Sequence, residues 1–160
     1  MKHPASRACL LAVSILCGAL SASPSRASAP ASEPVRVEVS RDRIWVIDGD
    51  TISLDGRRLR TLSIDTPEIK GARCARERLQ GQAAQRRLIS LVRRAGHIEI
   101  VWSGREGKYG RPLIDLMIDG KNVAETLLAE GLALPWEPGR SAWQTRKRHW
   151  CPEARQEITR

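Results

Sequence analysis

Residues 47–68 read IDGDTISLDGRRLRTLSIDTPE, and this stretch decides how the rest of the chain is interpreted. Apolar residues of the strand-forming type alternate here with two turn signals, Asp48-Gly49 and Asp55-Gly56. Pairs of this kind between alternating apolar residues are typical of short strands joined by tight turns. Pro67 ends the pattern because proline has no N–H to donate to a neighbouring strand. The stretch therefore predicts a meander of short strands.

Charged residues lie within the same strand-like segments. Three carboxylates, Asp50, Asp65 and Glu68, and one arginine, Arg60, fall inside some twenty positions. Like charges embedded in a sheet repel one another unless a cation or an arginine balances them. A sheet does not need this many charges for its stability, so the cluster indicates a functional site.

The strand pattern continues on both sides of this stretch. Residues 35–39 alternate apolar and polar, as a half-buried strand does, and residues 44–47 continue the sheet. Further strands are predicted at 97–102 and 113–118, with a polar loop at 103–107. Together these segments predict about five strands.

Three segments have the periodicity of helices. The first carries an apolar face from Ala84 to Ala95 and ends at Gly96. The second begins with the capping-box pair Asn122 and Glu125. A third, short helix near residues 141–150 is expected to have its basic residues on the outside. The predicted fold class is α+β: a five-stranded OB-type β-barrel, closed or partly open, with about three helices packed on it.

The N-terminal residues do not fit this domain. Residues 1–29 combine a basic start, an apolar run and a tail of small residues, which is the pattern of a secretory signal peptide. Cleavage after Ala29 or earlier, near residues 21–23, fits the sequence, and an uncleaved N-terminal anchor is the alternative. Residues 30–34 then form a linker and residues 35–160 the domain. Removal of residues 1–29 takes away three of the 27 basic residues and none of the 18 acidic ones, which lowers the net charge from +9 to +6.

Cleavage of the leader would leave two cysteines, Cys74 and Cys151. Cysteines in exported chains usually form disulfides. We therefore predict a disulfide between Cys74 and Cys151, with two free buried thiols as the alternative.

Several short motifs occur together in a specific order. They are IDGDT at 47–51, an arginine five residues before the DTPE of 65–68, KYGR at 108–111, and a closing pattern of Asp119-Gly-Lys followed by Gly131-Leu-Ala. In this combination, the chain resembles the staphylococcal (micrococcal) nuclease family, the thermonucleases. The resemblance extends from about residue 35 to residue 133 and implies the same SNase-like OB-type fold.

The resemblance implies a calcium site at Asp50, Asp65 and the backbone carbonyl of Thr66. The chemistry of these groups is consistent with it, because hard oxygen donors completed by water suit Ca²⁺. No thiol or imidazole lies nearby in the sequence, which argues against zinc.

The family's catalytic positions match Arg60, Glu68 and Arg111. Glu68 is placed to act as a general base or to orient a water molecule. The two arginines are suited to bind a phosphate and to stabilise the charge that grows on it. We expect the ion and the two guanidinium groups to face each other across a gap that fits one phosphate.

Three further residues are candidates for nucleic-acid binding. Lys108 and Tyr109 resemble family positions that hold a terminal nucleotide phosphate, although a polar hairpin loop would have the same sequence. The family has tyrosines just after the Gly-Leu-Ala segment, where a base can stack. Here Trp136 is the aromatic residue in that region, and it is either a stacking platform or part of the packing.

The leading hypothesis is a secreted or periplasmic, Ca²⁺-dependent nuclease that hydrolyses DNA and RNA with little sequence preference. The resemblance implies cleavage that leaves 3′-phosphate ends. We expect a monomer without stable membrane association once the leader is removed. The alternatives are a non-catalytic OB-fold domain that binds nucleic acid and a basic exported structural or adhesion domain, because positive charge alone fits any polyanionic partner.

Overall fold

The computed structural model describes residues 34–152. The predicted leader at 1–29, and the linker at 30–34 apart from Pro34, lie outside the described residues. The described chain forms nine strands and three α-helices. The strands are β1 Val35–Glu38, β2 Ile44–Val46, β3 Thr51–Leu54, β4 Arg57–Thr61, β5 Ile64–Asp65, β6 Ile98–Glu106, β7 Pro112–Ile118, β8 Lys121–Asn122 and β9 Leu134–Pro135. The helices are α1 Ala75–Arg94, α2 Val123–Ala129 and α3 Arg140–Trp150.

One curled, mixed sheet contains seven of these strands, in the order β1-β6-β7-β4-β3-β2 with β8 paired to β7. Neighbouring strands are antiparallel except for β4 and β7, which pair in parallel. Strands β5 and β9 form a separate antiparallel pair. This arrangement, with three helices packed against it, confirms the predicted α+β fold of OB type.

The hydrophobic core lies between the curled sheet and the first two helices. Alternate residues of the long strands are fully buried, and apolar residues of α1 and α2 pack against them. The most completely buried apolar members are Ile52, Leu59, Leu88, Ile100, Ile114, Leu116 and Leu127. The strands and helices therefore bury the apolar faces that their periodicity predicts.

The turn signals of the sequence produce the expected turns. Asp55 and Gly56 both have positive φ, at 49° and 86°, between β3 and β4. Asp119 and Gly120 repeat this geometry, at 49° and 77°, between β7 and β8. Two consecutive residues in the left-handed region match the twist of a two-residue hairpin, so these turns set the register of the strands.

Several details differ from the sequence-based expectations. The last strand of the predicted meander, which follows the Asp55-Gly56 turn, is broken, because Ser63 has a positive φ of 64° and turns the chain from β4 into β5. The predicted polar loop at 103–107 is largely strand, since β6 continues through a bulge to pair Glu106 with Pro112. Strand β1 lies at the sheet edge with all four residues exposed, so it is not half-buried.

No helix among residues 34–152 combines the length and apolar character needed to span a membrane.

Helix α1 begins well before its predicted apolar face. Its N-terminal cap is Cys74, whose sulfur accepts a hydrogen bond from the Glu77 backbone N–H. Cys74 is joined to Cys151, at the end of α3, by the predicted disulfide, with 6.0 Å between the two Cα atoms. The disulfide thus ties the start of α1 to the end of α3.

We predict that replacing both cysteines, in a Cys74→Ser/Cys151→Ser variant, lowers the free energy of unfolding by roughly 4 kcal/mol. The reason is that the bond closes a long loop and so restricts the unfolded chain. Urea unfolding of oxidised parent and variant measures the difference. Two titratable thiols in unreduced, denatured parent protein would contradict the disulfide itself.

Gly81 lets α1 approach the segment that carries Thr66 and Glu68. A Cβ at this position would lie 2.5 Å from the Pro67 carbonyl oxygen and 3.0 Å from that of Glu68. Both neighbours are backbone atoms, which cannot move independently of their segment. We predict that Gly81→Ala lowers the free energy of unfolding, because overpacking usually costs about 1–3 kcal/mol and a contact with backbone atoms lies toward the upper end of that range. After the gain of about 1 kcal/mol that alanine normally brings to a helix, the expected net loss is about 1–2 kcal/mol.

The matched control is Gly71→Ala, because a Cβ at Gly71 meets nothing within 4 Å. Its unfolding free energy should change by no more than about 0.5 kcal/mol. Urea unfolding of both variants tests the contrast, and equal stability of the two would refute the close-packing argument.

Candidate active site

A cleft of about 590 Å³ opens beside strand β4 and the loop that precedes β7. All three predicted catalytic residues, Arg60, Glu68 and Arg111, line it. Arg57 and Arg58 from the start of β4 also line the cleft, and the sequence analysis did not single them out. Four guanidinium groups therefore surround one opening, which makes the cleft suited to an anionic ligand.

The two predicted carboxylate ligands lie side by side behind this cleft. Asp50 precedes β3, Asp65 ends β5, and Arg60 lies on β4 between them. The Arg60 Nη2 atom is 2.9 Å from Asp50 Oδ2 and 3.1 Å from Asp65 Oδ1. One guanidinium nitrogen thus contacts both acids, which brings their oxygen atoms close together.

Close packing fixes the backbone that carries Asp50. A Cβ on Gly49 would lie 2.6 Å from the Ala84 Cβ of α1 and 2.8 Å from the Thr66 Cγ2. Glycine is therefore required at this position, and the turn is pressed against both the helix and the Thr66 segment. The Thr66 backbone N–H donates to Asp50 Oδ2 at 3.1 Å, which links the two ligand-bearing segments directly.

Asp50 is almost completely buried, with 3% of its surface exposed. Burial raises the pKa of Asp50 to about 7, and nearby Asp48 acts in the same direction, whereas Arg60 and the Thr66 N–H lower it. Burial has the largest effect because removing a carboxylate from water disfavours its charged form. A further cation beside Asp50 would stabilise the charged form, so this environment favours cation binding.

The donor set fits a hard divalent cation. Asp50, Asp65 and the nearby Thr66 offer only oxygen, and Ca²⁺ prefers oxygen ligands with water filling the remaining positions. Asp65 Oδ1 and Oδ2 each accept a hydrogen bond from one guanidinium. These bonds use two of the about four acceptor sites that a carboxylate has. Among the described residues, no cluster of three or more His, Cys, Asp or Glu side chains has a metal-binding arrangement.

One geometric expectation is not met. We expected Arg60 to face the two acids across a gap the size of a phosphate, but it is bonded to both of them. The physical reason is that two buried carboxylates need nearby positive charge, and Arg60 is the cation on the neighbouring strand. Arg111 does lie apart from the acids, and its Nε donates to the Lys108 carbonyl oxygen at 3.3 Å.

Helix α3 contributes two residues that the sequence analysis missed. Arg146 and Lys147 are buried, although the helix was predicted to have its basic residues outside. Arg146 Nε donates to Asp65 Oδ2 at 3.2 Å. Lys147 Nζ is 3.1 Å from Glu77 Oε1 and 3.6 Å from Glu68 Oε1. Two consecutive cations of α3 are thus paired with two carboxylates of the candidate site, Asp65 and Glu68.

Of the candidate nucleic-acid-binding residues, only some lie at the cleft. Tyr109 lines it, has a positive φ of 67° and is exposed, with the Lys108 Nζ atom 4.7 Å from its ring centre. Trp136 is 45% exposed and directly follows β9, the strand that pairs with β5. It is not among the described residues that line the cleft, so its role as a stacking platform stays a prediction.

Residues 58–157 match the family model described as "Staphylococcal nuclease homologue". The chain belongs to this nuclease-homologue family. The match begins within β4, so it contains Arg60, Asp65, Glu68 and Arg111, whereas Asp50 lies before its first residue.

Two curated proteins are similar to the chain. Endonuclease YncB of Bacillus subtilis (strain 168) is 41% identical over 104 residues, which cover 61% of this chain and 47% of YncB. The SPbeta prophage-derived endonuclease YokF of the same strain is 41% identical over 104 residues, covering 61% of this chain and 33% of YokF. The similarity therefore spans less than half the length of either relative.

We predict that Lys147→Met lowers the free energy of unfolding by about 3–5 kcal/mol, because it leaves the carboxylate of Glu77 buried without its cation. Glu77 is completely buried, whereas Glu68 is half exposed and can be hydrated. Urea unfolding measures the loss. Lys121→Met, at an exposed position of β8, is the control and should change stability by no more than about 0.5 kcal/mol. Similar values for the two variants would contradict the pairing.

Proposed function

We propose that the chain is an exported, Ca²⁺-dependent nuclease that hydrolyses phosphodiester bonds in DNA and RNA. The observation that carries this proposal is that Arg60, Glu68 and Arg111 line one cleft, and that Arg60 also contacts the paired carboxylates Asp50 and Asp65. Membership of the nuclease-homologue family supports the same reaction class. The two similar proteins are both named endonucleases.

The chain's own residues account for binding of the scissile phosphate. Arg111 and Arg60 both line the cleft, and planar guanidinium donors match the oxygens of a phosphate. Asp50, Asp65 and the Thr66 carbonyl would hold the calcium ion, which when bound supplies positive charge to the phosphoryl oxygens. The arginines stabilise the additional negative charge that develops as the reaction proceeds.

Glu68 is the residue best placed to accept a proton. Its side chain is 48% exposed and lines the cleft, so a water molecule can reach it from solvent. In the proposed reaction, water adds to phosphorus and gives its proton to Glu68 while the bond between phosphorus and the 5′ oxygen breaks. The 5′ oxygen takes up a proton from solvent water as it leaves, Glu68 returns its proton to solvent, and the phosphate stays on the 3′ side. The 3′-phosphate product is the outcome that the family resemblance implies.

The positive charge of the cleft explains why both DNA and RNA would be substrates. The four arginines of the cleft contact phosphates, which DNA and RNA share, and phosphate contacts carry no direct sequence information. The net charge of +6 that remains after removal of residues 1–29 attracts a polyanion over a long range. Activity should therefore fall steeply as salt rises, because each phosphate contact releases bound counterions.

Export to an oxidising compartment is supported by two observations. The pattern of residues 1–29 is typical of a secretory leader, and the Cys74–Cys151 disulfide is of the kind that persists outside the cytosol. Calcium is abundant in such a compartment, so a site with few protein ligands would still be filled. We propose that the exported form acts as a monomer.

We predict that the protein shortens single- and double-stranded DNA and RNA in calcium and stops when the ion is chelated. Glu68→Gln and Arg111→Ala should each lower kcat/KM by about 100-fold or more, the scale of losing a group that acts in the transition state. Gel assays with and without chelator, followed by steady-state kinetics on one oligonucleotide, measure these effects.

Glu125→Gln and Arg86→Ala are matched controls, since both residues are exposed on helices and neither lines the cleft. Their kinetics should equal those of the parent. Nucleic acid that is retarded but never cut would favour a non-catalytic binding domain, and the absence of any interaction would favour a structural or adhesion role.

A further inference from the structure

A second cleft, of about 550 Å³, lies between the N-terminal end of α1 and helix α3. Three cations line it, Arg73, Lys147 and Arg148, together with Trp143 and Gln144. No carboxylate is among the described residues that line this cleft. An opening with several cations, an aromatic ring and no acid is suited to an anionic ligand that also has a flat face.

Trp143 is the feature that distinguishes this cleft from a simple basic patch. It is 45% exposed, whereas Trp150 on the same helix is 1% exposed and belongs to the buried interior. The Arg73 guanidinium lies 5.7 Å from the centre of the Trp143 ring. The arrangement places an aromatic surface and a phosphate-binding group next to each other, as proteins that bind single strands do.

The second cleft adjoins the candidate active site. Lys147 lines the second cleft, and its Nζ is 3.6 Å from Oε1 of Glu68, which lines the first. One ion pair therefore links a residue of the second cleft to a residue of the first. Trp143 precedes Lys147 by four residues, about one turn of α3, so a strand that lies beside Glu68 can continue towards Trp143.

We propose that the second cleft binds the part of a single-stranded nucleic acid that flanks the scissile phosphate. One base stacks on the Trp143 ring, and Arg73 and Arg148 contact the neighbouring phosphates. The site requires a single strand, because the flat faces of bases are covered in a duplex. This inference rests on the proposed nuclease function, which it extends by a binding subsite and a preference for unpaired substrate.

The kinetic test compares a dinucleotide with a single strand of about 12 nucleotides, a length within the usual range of single-strand sites. Trp143→Ala should raise KM for the long substrate by about tenfold and leave kcat unchanged, because one stacked base contributes roughly that much to affinity. It should leave kcat/KM for the dinucleotide unchanged. Trp143→Phe should restore most of the affinity, since phenylalanine also offers a ring.

Further variants and an abasic substrate separate stacking from charge and from general surface effects. Trp45→Ala removes another exposed tryptophan, one that lies on β2 and outside both clefts, and should change neither substrate's kinetics. An abasic single strand of equal length should bind the parent and Trp143→Ala equally. Arg148→Gln should weaken binding of the normal and the abasic strand alike, and Arg86→Gln should weaken neither.

Binding measured by fluorescence anisotropy in chelator separates the subsite from catalysis. If the parent binds the long strand in a Trp143-dependent way but never cleaves it, the subsite stands and the proposed nuclease function fails. If the parent cleaves but Trp143→Ala behaves as the parent on the long strand, or loses affinity equally for the abasic strand, the subsite is overturned. A parent that neither binds nor cleaves overturns both.

Discussion

The rest of the structure depends on one constraint: the negative charges of two buried carboxylates need a cation beside them. Asp50 and Asp65 are both buried, and each is bonded to Arg60. Leaving either carboxylate buried without a partner would cost several kcal/mol, so Arg60 of β4 must stay beside both of them. The pairing of β3 with β4, which places Thr51 opposite Arg60, thus has an electrostatic as well as a hydrogen-bonded basis. The same arrangement that stabilises the sheet brings together the carboxylates of the proposed cation site.

Helix α3 supplies further cations that pair with carboxylates of the candidate site. Arg146 is bonded to the second oxygen of Asp65, and Lys147 links buried Glu77 to Glu68. The disulfide from Cys74 to Cys151 holds the end of α3 against the start of α1, one turn from Glu77. Hydrogen bonds to the outer atoms of a side chain fix its orientation. Through Arg146 and Lys147, α3 therefore orients Asp65 and Glu68, which belong to other parts of the chain. A helix near the chain's C-terminus is therefore part of the site rather than a cover over it.

The sequence predicted the features that depend on local chemistry and, from its cysteines and motifs, the disulfide and three residues of the cleft, but it missed other features that depend on tertiary contacts. The turns at Asp55-Gly56 and Asp119-Gly120 and the apolar faces of the strands were predictable because they follow from residue type and period. The two-residue strand β9 was not, since it exists only through pairing with β5. The start of α1 was missed because its cap is a cysteine and its buried positions include Glu77 and Gly81, which break the apolar pattern. The burial of Arg146 and Lys147 could not be inferred from the sequence either, because their carboxylate partners lie about 70 to 80 positions away in the chain.

The distribution of charge around the site separates two tasks that a nuclease must perform. The carboxylates Asp50 and Asp65 lie inside, where burial strengthens their interaction with any cation, while Arg57, Arg58 and Arg111 line the cleft within reach of solvent. Arginines at an open cleft attract a phosphate backbone of any sequence, because they contact what every nucleotide shares. In the proposed function, the buried acids beside Arg60 act on one phosphate at a time, at a fixed position. Binding would then tolerate many registers of the strand, whereas hydrolysis would be confined to the point where Arg60 and Glu68 line the cleft.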